Sequence, residues 1–349
     1  MRKILVTGGM GFIGSNLIRL LLQEHADIEL VNIDKLTYAG NPLNLADVAS
    51  DPDLGTRHRF VQGDICDPSL VRELMAGCWG VAHLAAESHV DRSISGWRQF
   101  LETEVAGTAT LLEAARDAGV QRFLHVSTDE VYGDIPAGKR SVETDPLRPR
   151  SPYAAAKASA EQFCLAFNTT YNVPVVISRA SNNVGPYQHP EKAVPLFTTN
   201  ALLDQPLPIY GDGLQVRDWI YVIDPCRALD LLLHQGISGE IYNVGAGNEA
   251  TNLEVVEGIL RLLNKPRSYI RHISDRQGHD RRYALDSSKV EQLGWSRREN
   301  FESALSKTVA WYRENQWWWG RVRNADYDTY YEGLYGARIA ASENIPGSA

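Results

Sequence analysis

The stretch KILVTGGMGFIG, residues 3–14, decides the fold of this chain. Its first five residues are mostly apolar and β-branched, which is typical of a buried strand, and glycines then follow at Gly8, Gly11 and Gly14. The apolar pattern of residues 12–22 predicts a helix. Glycines at this spacing allow a tight turn, let the backbone approach a pyrophosphate and let the helix pack closely on the strand. The stretch therefore predicts the first strand, turn and helix of a dinucleotide-binding fold.

A carboxylate ends the next predicted strand, residues 29–33. Asp34 lies twenty residues after Gly14, where an acid can accept hydrogen bonds from the adenosine ribose hydroxyls. A carboxylate there favours NAD over NADP, because the 2′-phosphate of NADP would meet a negative charge. An ordinary strand–helix turn is the alternative for the glycines alone, but the strand, the spacing and the acid together predict NAD as the cofactor.

Predicted strands and helices alternate along the rest of the chain. Further strands are predicted at residues 59–64, 81–84, 123–127, 174–178 and 241–244, and helices at residues 97–118 and 151–171. Strands that alternate with helices imply a doubly wound parallel sheet, so the predicted fold class is α/β.

The same pattern predicts two domains. We expect residues 1–181 to form a Rossmann domain that binds NAD, with segments near residues 217–245 returning to it. Residues 182–216 and 246–330, where loops rich in Pro and Gly interrupt short helices, are expected to form a smaller substrate domain. Residues 341–349 are expected to be frayed.

Two adjacent carboxylates follow the strand predicted at residues 123–127. Asp129 and Glu130 come directly after Thr128, and residues at the carboxyl end of a strand in an open parallel sheet face the ligand crevice. Acids commonly follow strands as solvated caps, which is the alternative for this pair taken alone.

Tyr153 and Lys157 lie four residues apart at the start of a predicted helix. Ser151 is the expected N-cap and Pro152 the first helical residue. The spacing puts the phenol and the ammonium on one helical face. A nearby cation stabilises phenolate, so we expect the pKa of Tyr153 to fall and the phenol to act as a base. A base combined with an acid pair predicts an oxidation coupled to an elimination.

Composition limits the classes of function. The chain has 349 residues and a net charge of −8, so a non-specific nucleic-acid role is not expected. We expect no membrane span and no signal peptide, because no apolar stretch is long enough. The four cysteines have no C-x-x-C spacing and are expected to be buried apolar residues in a reducing cytoplasm. His83 and His125 are expected in the core, and the sequence predicts no metal site.

Longer motifs carry a resemblance to a known family. The most specific are LAAESHVDRS at 84–93, STDEVYG at 127–133 and DRQGHDRRY at 275–283. From residue 3 to about residue 311 the chain resembles the nucleotide-sugar 4,6-dehydratases of the extended short-chain dehydrogenase/reductase superfamily, above all those that act on dTDP-glucose. The resemblance implies an extended Rossmann fold, hydro-lyase activity and a role in deoxysugar biosynthesis.

The resemblance also implies a mechanism in which NAD oxidises C4 of a nucleotide-diphospho-glucose. Tyr153 would take the proton of the C4 hydroxyl, Lys157 would reach the nicotinamide ribose, and Thr128 would hydrogen-bond the C4 oxygen. Glu130 would then remove the C5 proton while Asp129 protonates the departing C6 hydroxyl. Hydride return to C6, with a proton restored at C5, would give the 4-keto-6-deoxy sugar and water.

Two further sets of residues are implied by the resemblance. The cofactor set comprises Gly8, Gly11, Phe12, Ile13, Gly14, Asp34, Lys35, Leu36, Thr37, Asp64, Ile65, Leu84, Ala85, Ala86, Ser88, Thr103, Tyr153, Lys157 and Asn183. The substrate set comprises Ser88, Thr128, Asn182, Glu191, Lys192, Pro195, Leu196, Pro208, Tyr210, Arg217, Asn252, Asp275, Arg276 and His279. Lys192 and Arg217 suit a diphosphate, as cations with several donors. His279 fits a structural role equally well.

Four positions depart from the family pattern. Glu104 stands where the family usually has Asn, and a carboxylate near the cofactor can alter its affinity or a local pKa. Ala180, Val184 and His189 replace the usual Cys, Tyr and Phe beside the substrate loop, which leaves the sugar and the nucleobase open.

Other functions remain as alternatives. A nucleotide-sugar 4-epimerase or decarboxylase shares the glycine-rich turn, Tyr153 and Lys157, but generally lacks the acid pair. A UDP-glucose 4,6-dehydratase would share the whole catalytic set. A non-catalytic NAD-binding scaffold is disfavoured by the intact Thr128, Tyr153 and Lys157.

The family precedent for assembly is a homodimer built on two long helices per subunit. Residues 97–118 and 151–171 fit those helices, although an apolar face on each could also be covered within one subunit. The aromatic residues at 317–319 and 327–335 are expected to pack rather than bind a ligand.

Overall fold

A computed structural model of the protein describes residues 1–343. Its strands, in chain order, are β1 Arg2–Thr7, β2 Ile28–Asp34, β3 His58–Gln62, β4 Gly80–His83, β5 Arg122–Thr128, β6 Val175–Ala180, β7 Asn182–Val184, β8 Leu207–Tyr210, β9 Val216–Tyr221, β10 Ile241–Val244, β11 Glu249–Thr251 and β12 Ile270–Ile273.

The α-helices, in chain order, are α1 Phe12–Glu24, α2 Ala46–Ser50, α3 Pro68–Met75, α4 Val90–Ser95, α5 Trp97–Phe100, α6 Thr108–Ala118, α7 Pro152–Tyr171, α8 Ala193–Leu202, α9 Ile223–Gln235, α10 Asn252–Leu262, α11 Ser288–Gln292, α12 Phe301–Glu314, α13 Gln316–Val322, α14 Ala325–Tyr331 and α15 Ala337–Glu343. Short 3-10 helices cover Pro42–Leu45, Leu54–Arg57, Asp129–Tyr132 and Arg267–Tyr269, and π-helical segments cover Leu101–Gly107 and Glu332–Gly336.

The main layer is a parallel sheet in the order β10-β6-β5-β4-β1-β2-β3. The strand order reverses between β1 and β4, so a crevice opens where their carboxyl ends diverge. This sheet confirms the predicted doubly wound α/β fold class.

Both faces of the sheet are covered by helices. Neighbouring residues in a strand point to opposite faces, and accordingly Ile4 belongs to one buried cluster and Leu5 to the other. The Ile4 side packs against α1 and α9 through residues such as Leu21 and Leu229. The Leu5 side packs against α3, α6 and α7, for example through Leu111. The continuous apolar runs in the strands follow from this two-sided burial.

A second layer lies beyond the carboxyl ends of the strands. β9 pairs with β7 in parallel and with β11 in antiparallel orientation, while β8 pairs with β12. α8, α10 and α12 pack around these strands on a separate apolar core. Of the segments expected to return to the main sheet, α9 and β10 do so, whereas β9 stays in the three-stranded sheet.

Two long helical segments lie side by side next to the site. α7 begins as predicted, with the Ser151 hydroxyl accepting the Ala154 N–H at 3.1 Å and Pro152 in the first turn. The helix predicted at residues 97–118 is continuous, but it contains the π-helical segment Leu101–Gly107 between α5 and α6. Such an insertion widens one turn and is frequent at functional sites.

The remaining expectations about the chain concern its tail, membranes and cysteines. α15 reaches Glu343, so most of the tail expected to be frayed lies outside the described residues. Between residues 1 and 343 no helix is both long and apolar enough to cross a membrane. All of Cys66, Cys78, Cys164 and Cys226 are free thiols, and Cys66 differs from the other three in being only half-buried.

Candidate active site

A cleft opens over the carboxyl ends of β1, β2, β4 and β5, and its far wall comes from the segment that follows β6. Every residue of the predicted cofactor set except Leu36 lines this cleft. The cleft therefore gathers, in one place, residues that the chain spreads from Gly8 to Asn183.

The glycine-rich turn brings backbone to the floor of the cleft. Gly8 has φ +71°, and a Cβ atom there would lie 2.6 Å from the Ala85 backbone nitrogen. A Cβ on Gly14 would lie 2.2 Å from the Gly8 carbonyl oxygen. α1 starts at Phe12, and no side chain in residues 1–343 caps its N-terminus. Its first N–H groups are therefore available to an anion such as a pyrophosphate.

Asp34 is held rigidly at the end of β2. Its two carboxylate oxygens accept the Met10 N–H at 2.9 Å and the Leu36 N–H at 2.8 Å. Burial raises the pKa of Asp34, and the two backbone donors oppose that rise. Leu36, which does not line the cleft, contributes only its backbone N–H, which donates a hydrogen bond to Asp34. Gly40 also belongs here, because a Cβ on it would lie 2.7 Å from an Asp34 oxygen.

Several lining residues were in neither predicted set. They are Ile33, Ala39, Gly40, Gly63, Glu87, Val126, Ser127, Asp129, Glu130, Ala180, Ser181, Gln188 and His189, of which Asp129 and Glu130 were predicted as catalytic. Ser127 and Ser181 stand at the carboxyl ends of strands, so the strand-end rule could have found them. Gly40 and Gln188 lie in loops and carry no comparable signal.

All five predicted catalytic residues line the cleft together. Thr128 ends β5, and its hydroxyl donates to Asp129 Oδ1 at 3.2 Å and accepts the Glu130 N–H at 3.2 Å. The same hydroxyl faces Tyr153 and favours its ionised form. Thr128 therefore links the acid pair to the phenol.

The two carboxyls of the acid pair have different surroundings. Asp129 is buried, and burial and the adjacent Glu130 raise its pKa well above the usual value. Burial also raises the pKa of Glu130, but this side chain is half-buried and faces cations that oppose the rise. These cations are Arg276, Arg217 and Lys192. Pairs of carboxyls whose environments differ in this way divide into an acid and a base. Asp129 is suited to donate a proton and Glu130 to accept one.

The expected fall in the pKa of Tyr153 is wrong for this structure. Burial, followed by the negative charges of Glu130 and Glu104, raises that pKa well above its usual value. The Lys157 ammonium is engaged elsewhere, donating to the Val126 carbonyl at 2.9 Å and lying 3.0 Å from Glu104 Oε2. Sequence spacing placed the cation on the correct helical face but did not reveal its partner.

A buried network anchors the turn that carries the acid pair. The Arg179 guanidinium donates to Glu161 at 2.6 Å and to the Tyr132 hydroxyl at 2.7 Å. Tyr132 in turn donates to Asn243 Oδ1 at 2.8 Å. Because these residues belong to β6, α7, the turn and β10, the network fixes Asp129–Tyr132 against three elements of the main core.

Only part of the predicted substrate set lines the cleft. Ser88, Thr128, Asn182 and Lys192 line the cleft. Arg217 and Arg276 lie beyond it but close enough to Glu130 to stabilise its charge. Arg217 is buried, donates to the Asp280 carbonyl at 3.0 Å and lies over the Tyr283 ring.

The other members of that set lie in the second layer. Tyr210 and Arg276 approach Asp91 at 3.4 and 3.5 Å. His279 donates its Nδ1–H to the Asp275 carboxylate at 2.6 Å, and burial lowers the pKa of His279 to about 4. Pro208 belongs to β8 and Asn252 begins α10, while Pro195 and Leu196 are buried in α8.

Glu191 does not line the cleft, although the resemblance implied that it contacts the substrate. Its carboxylate pairs with Arg92 at 2.9 Å, and Arg92 lies between the rings of Tyr38 and Tyr330. The opposing charges of His89, His189, Arg92 and Lys192 outweigh burial and lower its pKa to about 2. The Arg92 ion pair thus holds one carboxylate oxygen of Glu191, while the other, Oε1, is buried without a hydrogen-bond partner among the described residues.

The two strand histidines lie in the core, as expected. His83 is held between the hydroxyls of Thr7 at 2.8 Å and Thr108 at 2.9 Å. Burial, with a contribution from Lys157, lowers the pKa of His83 to about 3 and that of His125 well below its usual value. Both imidazoles are therefore neutral around neutral pH.

A cluster that the sequence did not reveal lies outside the cleft. His25, Asp230 and His234 bring three potential metal ligands within 4.8 Å of one another. One Asp230 oxygen bonds both rings, at 2.9 Å to His25 and 3.0 Å to His234. These contacts hold the three side chains together, and His234 Nε2 is buried without a hydrogen-bond partner among the described residues. Residue spacing did not predict this cluster, because His25 is far from Asp230 and His234 in the sequence.

Most of the aromatic residues near the C-terminal end are buried, but one of them is exposed. Trp318 and Trp319 are buried against Tyr312, whereas Trp317 is half exposed. Tyr327 and Tyr335 are buried too. The expectation of a packing role describes these buried rings but does not describe Trp317.

The comparisons with known proteins agree with this geometry. A family model described as GDP-mannose 4,6 dehydratase matches residues 5–308. A dTDP-glucose 4,6-dehydratase of Streptomyces niveus is 48% identical over 332 residues, covering 94% of this chain and 97% of that protein. The low-salt glycan biosynthesis protein Agl12 of Haloferax volcanii is 50% identical over 309 residues, covering 88% of this chain and 98% of that protein.

Among solved structures, the dTDP-glucose 4,6-dehydratase DesIV from Streptomyces venezuelae, solved with NAD bound, superposes with a TM-score of 0.89. It is 50% identical, and the match covers 92% of this chain and 99% of that one. These matches confirm the resemblance that the motifs indicated. The chain belongs to the nucleotide-sugar 4,6-dehydratase family.

Proposed function

We propose that this protein converts dTDP-glucose to the 4-keto-6-deoxy sugar and water with NAD as its cofactor, which makes it a hydro-lyase of deoxysugar biosynthesis. The observation that carries the proposal is the acid pair Asp129 and Glu130, which shares one cleft with Tyr153 and Lys157. Relatives at 48% and 50% identity that are named for this reaction support the choice of sugar nucleotide.

The cleft fits NAD at three points of the chain. Gly8 and Gly14 leave no room for a side chain, and the uncapped start of α1 offers N–H groups to the pyrophosphate. Asp34 is placed for the ribose hydroxyls and carries a negative charge that disfavours a 2′-phosphate. NAD bound here supplies an acceptor for the C4 hydride and later a donor for C6.

Each proton transfer of the reaction is assigned to a different side chain. Tyr153 takes the proton of the C4 hydroxyl, and Thr128 holds the C4 oxygen. Once C4 is a ketone, the C5 hydrogen becomes acidic and Glu130 removes it. Asp129, whose burial raises its pKa and so favours the protonated form, gives its proton to the departing C6 hydroxyl.

The two layers of the fold are assigned to different ligands of the reaction. We assign residues 1–181, with the returning α9 and β10, to NAD binding. Residues 182–216 and 246–330 are assigned to the nucleotide sugar, with Lys192, Arg217 and Arg276 as the cations near its diphosphate end. The free cysteines fit the reducing cytoplasm that the sequence predicts.

A 4-epimerase is the second candidate within this superfamily. It also needs hydride transfer at C4, so the cleft, Tyr153 and Lys157 do not separate the two reactions. An epimerase has no use for a proton donor at C6. The buried Asp129, held next to Glu130, therefore favours the dehydratase.

The test is incubation of the protein with dTDP-glucose, UDP-glucose and GDP-mannose in heavy water. Because elimination breaks the C5–H bond, dTDP-glucose should lose one water and gain one solvent deuterium at C5, seen by mass spectrometry and NMR. An isomer of unchanged mass without deuterium at C5 would instead show an epimerase. Preferred turnover of UDP-glucose would reassign the nucleobase but keep the chemistry.

We further propose a homodimer formed by the paired helices next to the site. Residues Trp97 and Leu101 on one helical segment and Phe163 on α7 are large and apolar, yet about half exposed. Single exposed apolar residues are common, but a group on adjacent helices marks an interaction surface. A second copy of the same surface would complete a four-helix bundle with two-fold symmetry.

Light scattering should report about twice the 38.8 kDa of one chain. Leu101→Arg should shift the protein to monomer, because it buries a charge in the proposed interface. Leu203→Arg is the matched control: both leucines are 46% exposed, and Leu203 lies after α8, away from the helix pair. A monomeric unsubstituted protein at micromolar concentration, or equal effects of the two variants, would reject this interface.

A further inference from the structure

Glu104 is a completely buried carboxylate that the reaction scheme above does not use. It lies in the π-helical segment Leu101–Gly107 and has no solvent exposure. One carboxylate oxygen accepts the Glu87 N–H at 2.8 Å, and the other lies 3.0 Å from the Lys157 ammonium. A charge without solvent is costly unless it is paired. The pair with Lys157 is therefore the reason that this carboxylate can stay in the core.

The pair determines where the Lys157 ammonium is held. Nζ has two close partners, the Val126 carbonyl at 2.9 Å and Glu104 Oε2 at 3.0 Å. Val126 belongs to β5, and Glu104 belongs to the helix that packs beside α7. The ammonium is thus fixed from two sides, and neither of them is Tyr153.

The second hydrogen bond of Glu104 reaches the wall of the cleft. Glu87 lies in the segment that follows β4 and lines the cleft, whereas Glu104 itself does not. Glu104 therefore connects the backbone of that wall to the lysine behind it. Its substitution should change the position and charge of groups in the cleft without removing a contact to substrate.

The charges around Tyr153 and Lys157 show what Glu104 contributes. Tyr153 faces three carboxyls, on Glu130, Glu104 and Asp129, together with the Thr128 hydroxyl and the edge of Phe100. Lys157 faces Glu104 and the neutral imidazoles of His83 and His125. Glu87 faces Glu104 as a further acid. Among these groups, Glu104 is the carboxylate that contacts the Lys157 ammonium and whose negative charge also raises the pKa of Tyr153.

We propose that Glu104 is a positioning residue for proton transfer at Tyr153: it holds the Lys157 ammonium and the Glu87 backbone in place, and its negative charge sets the pH at which the phenol serves as a base. The inference rests on the proposed dehydratase function. A negative charge near a phenol favours the protonated form, so removal of this charge should let the phenol act as a base at lower pH.

Glu104→Gln is the direct test, because glutamine keeps the size and an acceptor for the Glu87 N–H but has no charge. In kcat/KM measured against pH with dTDP-glucose and the NAD-loaded protein, the acidic limb should move down by about one pH unit, a tenfold relative gain on that limb. KM should stay unchanged, since Glu104 does not line the cleft.

A second pair of variants separates charge from size. Glu104→Asp and Glu104→Asn are equally short, and only the first keeps the charge. Both should lower kcat, because the shorter side chain cannot reach Glu87 and Lys157 at once. Only Glu104→Asn should also move the acidic limb to lower pH. This pair keeps the inference testable if Glu104→Gln does not fold.

Glu102→Gln is the matched control, because it makes the same change two residues away on an exposed part of the same helix. Its pH profile should match that of the unsubstituted protein. Coincident profiles for Glu104→Gln and the unsubstituted enzyme, or an equal shift in Glu102→Gln, would overturn the role of Glu104 alone. An unsubstituted protein that does not turn over any nucleotide sugar would overturn the proposed function as well.

Discussion

Replacing Tyr153 with Phe should lower the turnover of dTDP-glucose by about two to four orders of magnitude, the usual contribution of a positioned acid–base group. The phenol is the group in the cleft that is placed next to Thr128 to take the C4 proton. Phenylalanine keeps the ring and its edge-on contact with Phe100, so the fold should persist. Steady-state kinetics check the rate, and calorimetric titration with dTDP checks that nucleotide binding is unchanged.

Tyr171→Phe provides the control for that substitution. Tyr171 is at the other end of the same helix and is half exposed, with its ring beside Arg116. Loss of its hydroxyl should leave turnover within about twofold, because surface changes of this kind have small effects. Turnover near the unsubstituted rate in Tyr153→Phe would remove Tyr153 from the mechanism.

Replacing Glu130 with Gln should separate the oxidation from the elimination. Tyr153, Lys157 and Thr128 remain intact, so C4 can still be oxidised, but no base is left for C5. Water loss should fall by about two to four orders of magnitude. In heavy water the sugar should accumulate, up to one equivalent per bound NAD, as a C4 ketone that keeps its C6 hydroxyl and has no deuterium at C5, as seen by mass spectrometry and NMR.

Asp129→Asn is the matched variant, since it makes the same chemical change to the neighbouring carboxyl. It removes the proton donor for the C6 hydroxyl but leaves Glu130 as a base. Water loss should again be slow, while C5 of the oxidised sugar exchanges its hydrogen for solvent deuterium. Deuterium at C5 in Asp129→Asn but not in Glu130→Gln would establish the two roles. The reverse pattern would exchange them, and normal water loss in both variants would contradict the proposed chemistry.

The amino-acid sequence was sufficient for the features that depend on local pattern. The apolar strand before Gly8, the glycine spacing and the start of α7 at Pro152 all lie where the pattern predicts them. The strand-end rule also placed Asp129 and Glu130 at the cleft. These features depend on backbone preferences and side-chain periodicity over a few residues, which neighbouring residues encode directly.

The family motifs predicted more of the site residues than the local patterns did, but they did not predict every ion-pair partner. All of the predicted cofactor set except Leu36 lines one cleft, whereas only four members of the predicted substrate set do, and the Glu191 carboxylate pairs with Arg92 outside it. A motif records which residue types occur together. It does not record which of two charged neighbours completes an ion pair, because that depends on packing between distant segments.

The protonation behaviour of the site was decided by the tertiary structure alone. From spacing, Lys157 should stabilise the Tyr153 phenolate, yet the fold brings Glu104 to the lysine and buries the phenol among carboxyls. Burial acts on every charge in the cleft, and its extent is known only once all the surrounding elements are assembled. The sequence by itself determined the catalytic groups and most of the cofactor set that line the cleft. Only the tertiary structure determined the remaining lining residues and which of the charged groups are paired, because desolvation and ion pairing arise from contacts between residues far apart in the chain.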